Sequence, residues 1–218
     1  MANLTLKHKT AWLETALFLG GIALLTVFSQ AWADNGEQAE EGSATQHPVW
    51  IQDPYSGENF LTYVREPDYS LWNKARIEDY EESIQVEADP PLGVLTIDSV
   101  NIQVPIYNGT EEFNLNRGAG RVKGMARMDE DGNLAISSHR DGFFRGLKDI
   151  KVGDEILVQT TKGVEIYEVS SVTIVPKEDI SPLDPTTEKT LTLITCYPFY
   201  FVGHAPKRWI VIAKPKYS

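Results

Sequence analysis

The chain carries one cysteine, Cys196, at the close of the run Thr192-Leu193-Ile194-Thr195-Cys196. Arg208 opens a second apolar run, Trp209-Ile210-Val211-Ile212-Ala213, and His139 follows a third, Leu134-Ala135-Ile136-Ser137-Ser138. A thiol, an imidazole and a guanidinium, each at or beside a strand end, make a set suited to acyl transfer. The thiol attacks a carbonyl and holds the acyl group as a thioester, and the imidazole moves protons as general acid and base. A fixed guanidinium stabilises the negative oxygen of the tetrahedral intermediate more than the neutral carbonyl that precedes it. A lone thiol forms no internal disulfide, so the usual reason for an exported cysteine is missing. The plainer reading is a buried cysteine acting as a small hydrophobe. Whether the resting pair is thiol with imidazole or thiolate with imidazolium is open at this level.

These residues need strands to hold them. After Pro91 short alternating or apolar runs recur at 92–97, 100–106, 134–137, 155–159, 164–175, 190–196 and 208–213, separated by Gly, Pro, Asn and Asp clusters. Asp98-Ser99 between the first two suits a hairpin. Many short strands with little helical periodicity predict a mainly β fold, a closed barrel of about eight strands with short connecting helices. A leading helix is expected over 69–84, where Leu71, Trp72, Ala75 and Tyr80 recur near helical spacing, with Asp68 as N-cap and Asp89-Pro90-Pro91 as stop. Neighbours in a strand face opposite ways, so only one of Lys207 and Arg208 points into a site, and Cys196 must share a face with it.

The net charge of −11 is uneven. Residues 34–91 hold 14 acidic and 3 basic side chains, whereas 92–218 hold 16 and 15. The C-terminal part is a nearly neutral globular domain, and no clustered Lys and Arg face of the kind that binds a phosphate backbone is present, which sets nucleic acid aside. Lys7, His8 and Lys9 precede an uncharged stretch over 15–33 that would span roughly 28 Å as a helix, against a bilayer core of about 30 Å. With Asp34, Glu37, Glu40 and Glu41 behind it, this predicts an N-terminal membrane anchor over 1–33, single-pass in the cytoplasmic membrane, with the remainder extracytoplasmic. Cleavage as a signal peptide at Ala31-Trp32-Ala33 is the rival, and it exports the same residues. The expected organisation is the anchor over 1–33, an acidic spacer over 34–66, and the leading helix with the catalytic barrel over 67–218.

Three segments carry a family resemblance. Thr192-Leu193-Ile194-Thr195-Cys196 matches the TLxTC signature of sortases, and Asn133 to Asp141 resembles that family's strand leading into its histidine. Pro206-Lys207-Arg208-Trp209-Ile210-Val211 resembles the strand that carries its arginine. The leading helix and Cys196-Tyr197-Pro198-Phe199 are most like class D and related proteobacterial sortases. The resemblance implies a cysteine transpeptidase with Cys196 as nucleophile, His139 as general acid and base, and Arg208 stabilising oxyanion and substrate. It needs no cofactor or metal. The implied partners are a protein bearing an LPxTG-like C-terminal sorting signal and an amine acceptor. The 176–189 segment resembles a wall of the sortase groove, with Ile180 and Leu183 as its aliphatic members. Ser138 stands where many relatives have glycine. Two other readings remain: a membrane-anchored cysteine peptidase with water as acceptor, and a non-catalytic exported β-domain that binds peptides.

Among the other motifs, Asp129-Glu130-Asp131-Gly132-Asn133 resembles a calcium loop, but its twelfth position is Arg140 rather than glutamate, so a turn is the better reading. The Arg117-Gly118-Ala119-Gly120-Arg121 run lacks the strand-to-helix setting of a dinucleotide fingerprint. His204 lies in the connection between Cys196 and Arg208 and reads as a loop residue near a cleft mouth.

Overall fold

Alternation along the chain pairs its strands in the way the pattern requires. In the computed structural model, which describes residues 45–200 and 203–217, β3 (Gly93–Ile97) and β4 (Ile102–Asn108) form the hairpin expected around Asp98-Ser99. Asn101 closes that turn at φ 52°, a left-handed conformation that asparagine tolerates better than most residues. The other strands are β5 (Ala119–Arg121), β6 (Asn133–Ser137), β7 (Glu155–Thr160), β8 (Gly163–Pro176), β9 (Thr190–Tyr197) and β10 (Lys207–Pro215). They close into an eight-stranded barrel in the order β10-β8-β7-β3-β4-β5-β6-β9. Two pairs, β4 with β5 and β6 with β9, are parallel, and the rest are antiparallel.

Closure needs curvature. The long strand β8 supplies it with a bulge at Ser170, where the pairing with β10 shifts between Ile212 and Ala213. The Ser170 hydroxyl donates to the Ile212 carbonyl at 2.9 Å. Inside, Leu95, Ile97, Val104, Ile106, Ile136, Leu191, Leu193 and Val211 are wholly or almost wholly buried and form one core. Phe144 and Leu147, on the 3-10 segment Phe143–Asp149 that follows His139, join it. That burial fixes where the histidine loop re-enters the barrel.

The leading helix forms, but it is broken. Asp68 caps only a 3-10 turn over Tyr69–Leu71, its carboxylate accepting from the Ser70 amide at 2.9 Å. The α-helix α1 (Lys74–Ile84) starts afresh at Asn73, whose side chain accepts from the Arg76 amide at 2.9 Å. Four rings explain the break. Trp72 and Tyr80 meet Phe143 edge-on at 4.9 and 5.8 Å, Tyr69 lies 5.3 Å from Trp72, and one continuous helix would carry Tyr69 and Trp72 past this cluster.

The acidic spacer expected over 34–66 does not run that far. β1 (Gln46–Gln52) and β2 (Asn59–Arg65) form an antiparallel hairpin that buries Ile51 and Val64 beside Val94 of the barrel. The turn is held by Asp53, whose carboxylate accepts from the Tyr55 amide and the Ser56 hydroxyl. Acidic composition and Pro48 mask an alternation that is local and real. Two further elements lacked a sequence signal, the short helix α2 (Glu112–Arg117) and the three-residue β5. Within β5 a Cβ on Gly120 would come within 2.2 Å of the Gly109 carbonyl, so glycine there serves close backbone approach. The expected anchor over 1–33 lies outside the described residues. Among the described residues no helix is long and apolar enough to cross a membrane.

Candidate active site

Strand register brings the three candidate residues together. In the β9–β10 ladder Cys196 and Arg208 are direct cross-strand partners, so their side chains leave the same face, and exposed Lys207 belongs to the other. On the opposite side of β9 lies β6, parallel to it, and the chain leaves β6 just before His139. Two hydrogen bonds staple that exit to the cysteine strand. The Ser138 amide donates to the Ile194 carbonyl at 3.3 Å, and the Thr195 hydroxyl donates to the Ser138 carbonyl at 2.8 Å. Ser138 is itself buried, and its hydroxyl donates to the Gly118 carbonyl at 2.9 Å. The departure from glycine at Ser138 thus adds an anchor to the turn.

Cys196, His139 and Arg208 line one open cleft of about 430 Å³, together with Arg76, Asp141 and His204. A groove of about 470 Å³ between the β1–β2 hairpin and α1 contains no thiol and none of the candidate residues. The cleft is strongly cationic. Arg76, Arg140, Lys177 and Arg208 line it against one carboxylate, Asp141, which suits a site where negative charge develops on an oxygen. The Arg208 guanidinium is held against its own turn, with Nη1 donating to the Lys207 carbonyl at 3.0 Å and to the Ala205 carbonyl at 3.3 Å. Arg140 Nη2 donates across to the Gly203 carbonyl at 3.0 Å, tying the histidine loop to the loop before Arg208. After the cysteine, Tyr197 stacks on Trp209 at 5.7 Å, and Arg145 grips the chain through the Phe199 carbonyl and the Tyr200 ring. These contacts make Tyr197 and Phe199 packing elements and leave Tyr200 on the surface.

Burial pushes the His139 imidazole below its ordinary 6.5, and the Arg76 guanidinium pushes the same way. Glu112 and Asp141 oppose them. The Glu112 contact is close but loose: Oε1 lies 3.1 Å from His139 Nε2 without the alignment of a hydrogen bond, and the glutamate side chain is 69% exposed. Burial outweighs this contact, because a solvated carboxylate is screened. The folded protein therefore resists protonation at His139, and the unfolded chain takes up that proton first. Stability from this group is fully present above about pH 6.5 and is lost as pH falls below it through the lowered native value. His139→Gln is expected to flatten the decline in melting temperature between pH 7.5 and 5. Parallel declines in the two proteins would contradict the depressed value.

Thr195 is a residue the sequence motif contains but does not explain. It is buried, and its hydroxyl makes one of the two links between the cysteine strand and the residue before the histidine. Thr195→Val keeps the shape and leaves the Ser138 carbonyl short of a partner, an expected loss of about 1–3 kcal/mol in chemical denaturation. Wild-type stability in that variant would show the link to be incidental. Arg76 was also missed. It belongs to the leading helix, and nothing local in sequence links it to His139.

The expected aliphatic members of the groove wall are not among the residues that line the cleft. Neither Ile180 nor Leu183 lines it, and Ile180 is 72% exposed. The 176–189 segment starts beside the cleft at Lys177. It is then drawn to the other end of β6, where the Asn133 amide donates to the Pro182 and Asp184 carbonyls at 2.9 and 3.1 Å. Because β6 and β9 are parallel, that end lies a strand length from Cys196.

A sortase domain model matches residues 95–216. The chain belongs to the sortase family. Sortase D of Bacillus subtilis (strain 168) is 38% identical over 133 residues, covering 61% of this chain and 67% of the relative, which fits class D. Sortase A of Streptococcus agalactiae serotype III (strain NEM316) is 29% identical over 116 residues, covering 49% of this chain and 47% of that protein. The chain thus spans about half the length of that sortase A. Among solved structures, Streptococcus agalactiae sortase C1 in complex with MTSET is similar with a TM-score of 0.56 at 24% identity, over 64% of this chain and 79% of that one. A Clostridium perfringens sortase D5 transpeptidase gives 0.54 at 24% identity, over 65% and 89%. These structural likenesses establish the barrel. Sortases are cysteine transpeptidases, and this chain is an enzyme of that class.

Proposed function

We propose that this sortase cleaves an LPxTG-like C-terminal sorting signal through a thioester on Cys196 and passes the acyl group to an amine. The observation that carries the reading is the shared cleft, with Cys196 and Arg208 opposite one another across a ladder and His139 at the exit of the adjoining strand. Cys196 Sγ attacks the carbonyl carbon of the scissile bond, and the carbonyl oxygen takes the negative charge. Arg208 donates to that oxygen as it forms. Collapse breaks the C–N bond, and His139 passes to the leaving amine the proton it took from the Cys196 thiol. The incoming amine then attacks the thioester, His139 accepts its proton, and Cys196 leaves as thiolate. No cofactor takes part.

Transfer rather than hydrolysis is favoured by the identity of the third residue. A papain-like peptidase orients its histidine with an Asn or Asp, whereas here the third group is a cation on the cysteine's own ladder. Incubation of the full chain with a quenched LPxTG-type peptide, with and without hydroxylamine or a peptide amine, tests this. Acceptor-dependent product is expected. Hydrolysis indifferent to the acceptor would make the enzyme a peptidase, and no turnover of any sorting peptide would remove the reading. We further propose that residues 1–33 hold the enzyme in the cytoplasmic membrane with the barrel outside. Release of the protein from membranes by salt, without detergent, would contradict that anchor.

A further inference from the structure

Arg76 is the most enclosed cation of the leading helix, with its side chain 13% exposed, and it points at the histidine loop rather than at solvent. Its Nη1 donates to Asn116 Oδ1 at 2.6 Å. The same guanidinium lies 3.5 Å from Asp141, two residues past His139, and 3.9 Å from Glu112, the carboxylate beside His139 Nε2. Asp79, one turn on along α1, flanks it at 3.5 Å. Its stem passes over the turn after the histidine, where a Cβ on Gly142 would come within 3.4 Å of Arg76 Cδ. Asn73 adds a second tie between the same helix and the same loop, its amide donating to Asp141 Oδ2 at 3.3 Å.

We propose that Arg76 is a positioning residue for His139, a clamp by which the leading helix holds the histidine loop and its neighbouring carboxylates in place against the cleft. The proposal rests on the reading of His139 as the proton-transfer group. A cation from outside the barrel strands, about one turn from the helix cap at Asn73, meets the two carboxylates nearest the imidazole. Held on Arg76, those carboxylates are less able to draw a proton onto the ring. Released, they would do so, and the loop would lose its brace. The groups facing His139 come from every element around it: Arg76 on α1, Glu112 on α2, Arg140 and Asp141 on its own loop, and Lys177 after β8. Cys196 on β9, and Arg208 and His204 on β10 and the loop before it, complete the set. Of these, Arg76 and Glu112 bear on the ring most directly, with opposite signs, and Asp141 acts with Glu112.

The test is an NMR titration of the His139 ring in the full chain, assigned by loss of its signal in His139→Gln, for the parent protein, Arg76→Gln and Arg76→Lys. Arg76→Gln removes a neighbouring cation, frees two carboxylates and opens the ring to water, and all three move its midpoint to higher pH. The His139 limb of the pH–rate profile should move with it. The kcat on a sorting peptide should fall about ten- to hundredfold from misplacement, with KM within about twofold of the parent. Arg76→Lys keeps the charge and loses the fork, so its midpoint should stay near the parent's while kcat remains low. A folded Arg76→Gln with an unchanged His139 midpoint overturns the proposal, and so does a kcat loss unaccompanied by that shift. If Arg76→Gln does not fold, Arg76→Lys decides: parental kcat there overturns the clamp. The midpoint is read without turnover, so its failure is distinct from failure of the thioester reading, which would show as cleavage retained in Cys196→Ala.

Discussion

Cys196→Ala is expected to reduce peptide cleavage and transfer to background while the barrel remains folded. The thiol is partly exposed at the cleft rather than in the core, so removing its sulfur opens no interior cavity. No other thiol in the chain is available to take over, because Cys196 is the only cysteine. The loss should therefore be chemical: without a nucleophile the acyl group has nowhere to go, and water at the same position lacks the reactivity of a thiolate. Circular dichroism and melting temperature should match the parent protein, and one equivalent of a thiol alkylator should abolish activity in the parent. Turnover in Cys196→Ala at even a few per cent of the parent rate would exclude covalent catalysis through this residue.

Replacing Arg208 comes next in size. Arg208→Ala should lower kcat about a hundred- to thousandfold, equivalent to about 3–4 kcal/mol of oxyanion stabilisation. Arg208 sits near the start of β10, and among the described residues its guanidinium hydrogen-bonds to carbonyls of its own turn, so its removal should leave the barrel intact. Lysine keeps the charge and loses the planar fork, so Arg208→Lys should recover only part of the rate. Because the guanidinium acts on charge that develops during reaction, kcat should carry most of the loss. An effect confined to KM would recast Arg208 as a residue that only binds substrate.

The barrel could be read in the sequence because strand alternation is a local property, and each long run from β3 to β10 carries its own pattern. Its short members could not. β5 is three residues of Ala119-Gly120-Arg121, too brief for a period, and it exists because β4 and β6 need a bridge between them. The hairpin over 46–65 was hidden by averaging: acidic residues and Pro48 outweigh Ile51 and Val64, although those two bury fully. The break at Trp72-Asn73 depends on Phe143, a partner far along the chain. For the site, parity along two strands was enough to expect Cys196 and Arg208 on one face. Arg76 was not legible, since its meaning comes from Glu112 and Asp141 meeting it in space. Ile180 and Leu183 show the converse, members of a segment that starts beside the cleft at Lys177 and is tied by Asn133 to the far end of β6.

The most direct measurement is mass spectrometry of the enzyme quenched in acid during turnover of an LPxTG-type peptide, with the adduct mapped by proteolysis. The account predicts one acyl group, the substrate's N-terminal fragment, on the peptide that contains Cys196, and its rapid disappearance when hydroxylamine is added before the quench. Cleavage at the full rate with no adduct at Cys196, or with the acyl group on another residue, would contradict it.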